Sequence, residues 1–356
     1  KDRTPTICEE LGARVFHWPW QDSFAAARNV SLDHARGEWL FWMDSDDTIT
    51  EECGRKLRAL ADGAHKKDLL GYVMQVHCPG DDPADVTVVE HVKLILNRPD
   101  LRFEFRIHEQ ILPAIRRADG GVEFTDIFVV HSGSDRTEDG QARKLDRDFR
   151  LLHLELQDRP DHPFVLFNLG MTHADAGEHT QAIQYLERCL TVSNPEESHL
   201  RKAYALLVSS LSRDGQTTAA IDSCEHGLRL YPDDKELLFR RAMLNHKQGE
   251  LADAVATYRR VLEESEERHF TSVDCGLAGV KARHNLALVY EDLRDDESAA
   301  AEWNQILAED AHYVPAWRGR AETLLRLGRT AELLQLRATL AQRSSADLDY
   351  LIPYIS

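Results

Sequence analysis

The run Glu38-Trp-Leu-Phe-Trp-Met-Asp-Ser-Asp-Asp47 joins a nearly continuous apolar segment to three carboxylates. An unbroken apolar run of this length is typical of a β-strand that is covered on both faces, as in layered α/β proteins. In open sheets of that class, ligands bind at the carboxyl ends of the strands, which is where Asp44 to Asp47 would lie. The stretch therefore predicts an α/β sheet with an acidic ligand site at its edge.

Helical and extended segments alternate on both sides of this run, up to about residue 135. Helices are predicted over residues 22–35 and 50–61, the second with Thr50 as its N-cap and two glutamates in its first turn. Strands are predicted over residues 13–16, 69–78, 86–97 and 124–131. This order of elements argues for a layered α/β domain.

The spacing of Asp44 and Asp46 suits a divalent cation. Residues two apart in an extended segment project to one side, so both carboxylates can reach the same ion. Hard oxygen ligands favour Mg²⁺ or Mn²⁺, and such ions commonly bridge protein carboxylates to substrate phosphates. The alternative for an isolated Asp-x-Asp is a solvated acidic turn that caps the next helix.

After residue 137 the strand-like runs stop and a helical repeat begins. A turn residue, usually glycine, is followed five positions later by a residue that is usually alanine, in the pairs Gly177/Ala182, Gly215/Ala220, Gly249/Ala254, Arg294/Ala299 and Gly328/Leu333. Successive turns lie 38, 34, 45 and 34 residues apart, and 34 is the period of tetratricopeptide (TPR) repeats. The pattern predicts an all-α TPR-like solenoid, with an irregular helical bundle as the alternative.

We therefore expect two domains. The α/β domain covers residues 1–136, and the TPR-like domain covers residues 137–356, beginning with a linker helix at about 141–158. The segment 270–279 interrupts the repeats as an insertion. A loop of this kind is either a contact surface or a tolerated excursion.

The composition argues against several functions. A net charge of −18 repels a phosphate backbone, so general nucleic-acid binding is not expected, although a metal can neutralise one phosphorylated ligand in a local pocket. The apolar stretches are too short to cross a bilayer, and no membrane span is expected. Six scattered cysteines without a Cys-x-x-Cys pair indicate reduced thiols in a cytoplasmic protein.

Four segments resemble family-2 glycosyltransferases with the GT-A fold, in the branch where that domain is fused to TPR repeats. The segments are Trp20-Gln-Asp-Ser-Phe-Ala-Ala-Ala-Arg-Asn29, the stretch from Ala35 to Asp47, Phe105-Arg-Ile-His-Glu-Gln110, and Val130-His-Ser-Gly133. The branch includes the sublancin-type S-glycosyltransferases. The resemblance covers most of residues 1–135, and it implies a partial GT-A, Rossmann-like sheet.

The resemblance assigns roles to residues at matching positions. Asp44 and Asp46 match the family's Asp-x-Asp, which binds a nucleotide sugar through its ribose and a metal-bridged diphosphate. His131 is similar to the histidine that completes the metal shell in several GT-A enzymes, although a histidine at a strand end is often only hydrogen-bonded in place. Arg28 and Asn29 match an Arg-Asn pair near the donor pocket, where helix packing and a salt bridge are the alternative.

Glu109 is the candidate general base, because inverting transfer needs a carboxylate that takes the acceptor's proton during attack on the anomeric carbon. The alternative is a structural ion pair between Glu109 and Arg106 or another nearby arginine. His108 is expected to line the acceptor site.

The first residues, Asp2-Arg3-Thr4, resemble the tail of the family's Ser-Thr-Asp-x-Thr segment, which follows the second strand of a GT-A domain. GT-A domains build much of their nucleotide pocket from the strands before that point. We therefore expect this chain by itself to bind the donor weakly or not at all.

The leading hypothesis is a metal-dependent inverting glycosyltransferase. It would move a sugar from a nucleotide-sugar donor, expected to be a UDP-sugar, to a peptide, protein or glycan acceptor, with the TPR groove holding the acceptor or a protein partner. One alternative is a non-catalytic TPR interaction protein whose transferase-like domain is inactive. Another is a TPR adaptor beside an unrelated metal phosphohydrolase.

Overall fold

The computed structural model describes residues 3–80, 86–133, 137–263 and 273–341. The chain divides into two compact units. Residues 1–77 and 90–172 form the first unit, and residues 78–89 and 173–356 form the second. Part of the region predicted as linker and first repeat thus belongs to the first unit.

The α/β part of the chain contains short strands between helices. Its described elements are, in chain order, α1 (Thr4–Glu10), α2 (Phe24–His34), β1 (Trp39–Phe41), β2 (Asp47–Thr48), α3 (Glu51–Asp62), β3 (Leu69–Pro79), β4 (Val86–Leu96), α4 (Leu112–Arg117), β5 (Gly121–His131) and α5 (Glu138–Asp158).

The strands form one mixed sheet in the order β1-β4-β3-β5-β2. Strand β1 pairs antiparallel with β4, β3 pairs parallel with β5, and β2 pairs antiparallel with the end of β5. Helix α3 covers one face, where Cys53 packs with Tyr72, Met74 and Leu94 of the sheet. The β2–β5 pairing places the residues that follow β1 beside the last residue of β5, and this fixes the position of the site.

Hydroxyl side chains cap the helices next to the site, as the sequence predicts for α3. Thr50 accepts a hydrogen bond from the backbone N–H of Cys53 at 3.2 Å. Ser23 caps α2 through Ala26 in the same way, and Thr137 caps α5. Each cap satisfies an otherwise unpaired N–H of the first turn, so these helices begin at defined residues.

The strand predicted over residues 13–16 is wrong. These residues have no strand partner in the described structure; Arg14 donates a hydrogen bond to the carbonyl oxygen of His34, and Phe16 stacks on the His34 ring with centroids 3.6 Å apart. A short run with β propensity becomes a strand only when a neighbour supplies the ladder hydrogen bonds, and propensity alone does not identify that neighbour.

The second half of the chain is helical. Its described elements are α6 (Pro163–Asp175), α7 (His179–Val192), α8 (Leu200–Arg213), α9 (Thr217–Leu230), α10 (Lys235–Gln248), α11 (Leu251–Leu262), β6 (Val273–Asp274), a 3₁₀ turn (Cys275–Ala278), α12 (Val280–Asp292), α13 (Asp296–Glu309), α14 (Val314–Arg326) and α15 (Thr330–Ala341).

All five predicted turn positions lie between consecutive helices and have left-handed backbone angles. Their φ values run from 61° at Arg294 to 82° at Gly215, a region that glycine enters without a steric penalty. The alanines five residues after the first four turns are fully buried, and Leu333 is 5% exposed. The predicted combination of an α/β domain with TPR-like helical repeats is confirmed. In the described ranges, no helix combines the length and apolar character that a bilayer span needs.

The described part of the insertion is anchored in the second unit. Residues 270–272 lie outside the described residues. Strand β6 pairs with Thr87 and Val88 of β4, and Leu277 packs in the same apolar cluster as Leu238 and Tyr258. The sequence left open whether this segment is a contact surface or an excursion, and its described residues are packed parts of the fold.

Candidate functional site

The segment Asp44–Asp47 forms a closed turn between β1 and β2. The N–H of Asp47 donates to the carbonyl oxygen of Asp44 at 3.1 Å, and the N–H of Asp44 donates to Oδ2 of Asp47 at 3.0 Å. Asp47 then pairs with His131 across β2 and β5. The turn therefore presents three carboxylates beside the histidine at the end of β5.

Asp47 is the buried member of this group. Its side chain has no exposed surface, and it accepts hydrogen bonds from Lys93 Nζ at 2.5 Å and His131 Nδ1 at 2.9 Å, in addition to the Asp44 N–H. Burial alone would raise the pKa of Asp47, but these donors outweigh it and lower the pKa. Asp47 is therefore held as a carboxylate whose oxygens are both in use.

Asp44 and Asp46 are the open members. The Asp44 side chain is 40% exposed and accepts a hydrogen bond from Arg28 at 2.9 Å. The Asp46 side chain is 37% exposed, and its Oδ1 lies 3.6 Å from Nδ1 of His131. Their exposure leaves both carboxylates accessible to a ligand.

Candidate metal ligands converge here. Single ligand atoms of Asp44, Asp47 and His131 lie within 4.8 Å of one another. The sequence prediction named Asp44, Asp46 and His131, so the tightest described cluster has Asp47 in place of Asp46. The set consists of carboxylate oxygens and one imidazole nitrogen, a chemistry that fits Mn²⁺ or Mg²⁺. The assignment of ligands stays a prediction.

Arg28 links this turn to Glu109. Its Nε and NH2 groups both donate to Oε1 of Glu109, at 2.9 and 2.5 Å, while NH2 also donates to Asp44. The guanidinium lies 4.0 Å from the ring centroid of Trp42 and 5.2 Å from that of Phe103, which holds it in place. The ion-pair partner of Glu109 is therefore Arg28.

Arg106, the other proposed partner of Glu109, has a different role. It binds Asp158 at 2.6 Å, and its backbone N–H donates to Glu155. Asn29 exchanges two hydrogen bonds with the backbone of Phe103. None of these contacts involves Glu109 or the acidic turn. In the described structure, Arg106 and Asn29 therefore hold the 103–106 segment in place.

His108 is a strained residue in the same segment. Its φ of 54° is left-handed, and its Nε2 is buried without a hydrogen-bond partner among the described residues. Burial, reinforced by Lys144 and Arg147, lowers its pKa to about 4, so the ring is neutral at physiological pH. An unpaired buried nitrogen beside a cleft is a feature that a ligand can satisfy.

The first unit contains a cleft of about 880 Å³, lined among others by Arg28, Asp44, Asp46, His108, Glu109 and His131. Its acidic groups are Asp44, Asp46, Glu109 and Asp148, the last of which pairs with Arg147 at 2.8 Å. Its basic groups are Arg28, Arg143, Lys144 and Arg147. The last three belong to α5, which is predicted from the sequence as a linker helix. The cleft thus combines an acidic turn with a basic helix face, and this suits a metal-bound anion better than either feature alone.

Sequence reasoning missed Trp42, Lys93 and the basic residues of α5. Lys93 interrupts the apolar strand Val92-Lys-Leu-Ile-Leu96, and a lysine at a buried strand position is a signal of an internal ion pair. The α5 cations had no such signal, because many helices carry three basic residues on a solvated face.

Two histidines of the cleft make the first unit sensitive to acid. Burial, with a contribution from Lys93, lowers the pKa of His91 to about 4, and His108 has the same value. Both folded values lie below the unfolded value near 6.5. The unfolded state therefore binds more protons below that pH, and stability falls as pH drops from about 6.5 towards 4.

We expect the free energy of unfolding to be lower at pH 5 than at pH 7.5, by up to about 2 kcal/mol for each histidine. Urea unfolding at the two pH values measures this difference. His108→Gln should remove part of it, whereas His153→Gln, at an exposed position on α5, should not. Equal stability at both pH values would contradict the buried, neutral state of these rings.

Comparisons with known proteins agree with the resemblance found in the sequence. Residues 1–112 match the sequence model of glycosyl transferase family 2. Residues 165–195 and 205–268 match tetratricopeptide repeat models.

Two curated relatives match this chain to different extents. A TPR repeat-containing protein of Synechococcus elongatus is 26% identical over 308 residues, which is 84% of this chain and 67% of the relative. The prophage-derived glycosyltransferase SunS of Bacillus subtilis is 20% identical over 209 residues, which is 57% of this chain and 48% of SunS. This chain thus spans about two thirds of the first relative and about half of the second.

Among solved structures, MamA has a TM-score of 0.39 at 18% identity, covering 50% of this chain and 96% of MamA. The APC/C Cut9–Hcn1 assembly has a TM-score of 0.47 at 16% identity, covering 60% of this chain and 40% of the matched chain. The family matches thus describe the chain in two parts: residues 1–112 are similar to glycosyl transferase family 2, and residues 165–195 and 205–268 are similar to tetratricopeptide repeats.

Proposed function

We propose that the protein is a metal-dependent inverting glycosyltransferase that uses a nucleotide-sugar donor, expected to be a UDP-sugar. The observation that carries the proposal is the cleft of the first unit, which brings Asp44, Asp46, His131 and Glu109 together within the family-2 region or beside it. The family match supports sugar transfer, and the donor set of the turn supports metal dependence.

Each residue of the cleft has a proposed task. Asp46 and Asp44, with His131, would hold Mn²⁺ or Mg²⁺, which supplies positive charge for the diphosphate that leaves the sugar. Glu109 takes the proton of the acceptor as its nucleophilic atom attacks the anomeric carbon from the side opposite the diphosphate. Both hydrogen bonds from Arg28 to Glu109 go to Oε1, so Oε2 is not used by this ion pair.

The remaining polar groups of the cleft complete the proposal. The cations of α5 would face the oxygens of the diphosphate, since a basic helix face opposite an acidic turn complements a metal-bound anion. His108, neutral and lacking a partner for Nε2 among the described residues, would contact the acceptor. The TPR repeats would bind a peptide, protein or glycan acceptor, or a protein partner, and we place the reaction in the cytoplasm.

Release of nucleoside diphosphate from a panel of nucleotide sugars tests this function in the full-length protein. We expect release with Mn²⁺ or Mg²⁺, loss of release with EDTA, and recovery when the metal is restored. Release that persists in EDTA would overturn metal dependence. No release from any donor, with or without peptide and glycan acceptors, would instead favour a non-catalytic TPR interaction protein.

A further inference from the structure

Lys93 is a fully buried cation next to the acidic turn. Its side chain is 1% exposed, its Nζ lies 2.5 Å from Oδ2 of Asp47, and the same atom lies 3.8 Å from the ring centroid of Trp42. Lysine is almost never buried to this extent unless it is paired, because removing an ammonium group from water is costly. A purely apolar side chain at this position of β4 would avoid that cost. We therefore infer that the buried ammonium group has a specific role.

The carboxylate that Lys93 holds is connected to both ends of the site. Oδ2 of Asp47 also accepts from the backbone N–H of Asp44, and Oδ1 contacts Nδ1 of His131 at 2.9 Å. Because a carboxylate oxygen can only accept, Nδ1 donates this hydrogen bond, which places the proton on Nδ1 and leaves the lone pair of Nε2 for a metal. Asp47 thereby sets the tautomer of one proposed ligand and the backbone position of another.

The ring of Trp42 lies close to two cations that pair with two different carboxylates. Lys93 lies 3.8 Å from its ring centroid and holds Asp47, while Arg28 lies 4.0 Å from the same centroid and holds Asp44. The indole itself is fixed by a hydrogen bond from Nε1 to the carbonyl oxygen of Val92 at 2.7 Å. This arrangement leaves Asp46 as the carboxylate of the turn without a lysine or arginine partner among the described ion pairs.

We propose that Lys93 is a positioning residue of the metal site and that Asp47 is the support of that site, not one of its ligands. Lys93 acts through Asp47, orients the ring of His131 and the backbone of Asp44, and does not touch the metal or the donor. This inference rests on the proposed metal site. An ordinary buried salt bridge would affect only the free energy of unfolding. The proposed role predicts, in addition, a loss of metal affinity that remains when stability is regained.

The test measures Mn²⁺ affinity by calorimetry in the full chain, alongside urea unfolding. The variants are Lys93→Met, Asp47→Asn and the double variant Asp47→Asn/Lys93→Met, in which both charges are removed. Lys56→Met is the matched control, because this lysine also pairs with an aspartate at 2.5 Å but lies 41% exposed on α3. The ¹⁵N shifts of His131 in the metal-free protein report its tautomer independently of metal and activity.

We expect Lys93→Met to weaken Mn²⁺ binding about 10- to 100-fold and to change the His131 tautomer ratio. The double variant should regain stability, since no unpaired charge remains buried, but it should not regain affinity. Lys56→Met should match the wild type. A folded Lys93→Met or double variant with wild-type affinity and an unchanged tautomer would overturn the inference. Absence of Mn²⁺ binding in the wild type would instead overturn the proposed metal site itself.

Discussion

Asp46→Asn should reduce metal-dependent release of nucleoside diphosphate by about 100-fold or more. Asp46 is exposed to the cleft, lies beside His131, and has no arginine or lysine partner among the described ion pairs, so it is the carboxylate of the turn most available to an ion. Loss of one anionic ligand removes several kcal/mol of charge stabilisation from the departing diphosphate, and about 3 kcal/mol corresponds to this factor.

The measurement is kcat/KM for the best donor of the nucleotide-sugar panel, with Mn²⁺ titrated in each variant. Asp62→Asn is the matched control, because Asp62 is a 66% exposed carboxylate at the end of α3 that pairs only with Arg58 at 3.9 Å among the described ion pairs. It should keep wild-type activity. If Asp46→Asn is as active as the wild type, the catalytic assignment of the turn is wrong.

Gly133→Ala should weaken metal binding strongly, although it adds only one methyl group. A Cβ atom at position 133 would lie 1.7 Å from Oδ2 and 2.5 Å from Cγ of Asp46, so the carboxylate has to move. Rotation of the Asp46 side chain can move Oδ2 and Cγ away, but Cβ of Asp46, at 2.6 Å, is fixed to its backbone, so the backbone has to shift as well. We expect Mn²⁺ affinity to fall about 10- to 100-fold, and the free energy of unfolding to fall by about 1 to 3 kcal/mol.

Calorimetry with Mn²⁺ and urea unfolding separate these two effects. Gly121→Ala, at the other end of β5, is the control, because its Cβ would meet only the carbonyl oxygen of Asp68 at 3.8 Å, an ordinary contact. Gly133→Ala and Asp46→Asn act on the same carboxylate. The double variant should therefore bind Mn²⁺ with the same affinity as Asp46→Asn alone. Additive losses would show that Gly133 contributes in some other way, and wild-type affinity in Gly133→Ala would remove Asp46 from the site.

The structure distinguishes three aspartates that look equivalent in the sequence, and it links one of them to the proposed base. Asp44, Asp46 and Asp47 are adjacent acidic residues in the sequence, yet one is buried against Lys93, one is paired with Arg28, and one is open. Glu109, proposed from the resemblance as a base, shares the guanidinium of Arg28 with Asp44. The proposed base and the proposed metal ligand are thus coupled through one arginine, and variants of Arg28 will affect both.

Features that depend on local interactions could be predicted from the amino-acid sequence. The repeat turns at Gly177, Gly215, Gly249 and Gly328 could be read directly, because a left-handed backbone position and a small residue five places later are requirements of one helical hairpin. The N-cap at Thr50 and the acidic turn after an apolar strand could be read for the same reason. Each of these signals involves residues a few positions apart.

The contacts between distant side chains could not be predicted in this way. Lys93 reaches Asp47 across 46 positions and Arg28 reaches Glu109 across 81, and no local pattern encodes either pair. The same reason explains the error at residues 13–16, where a strand needed a partner, and the missed role of α5, whose basic face lines the cleft. Interactions between residues close in sequence determine the helices and turns. Burial and charge pairing between distant segments determine which side chains form the site.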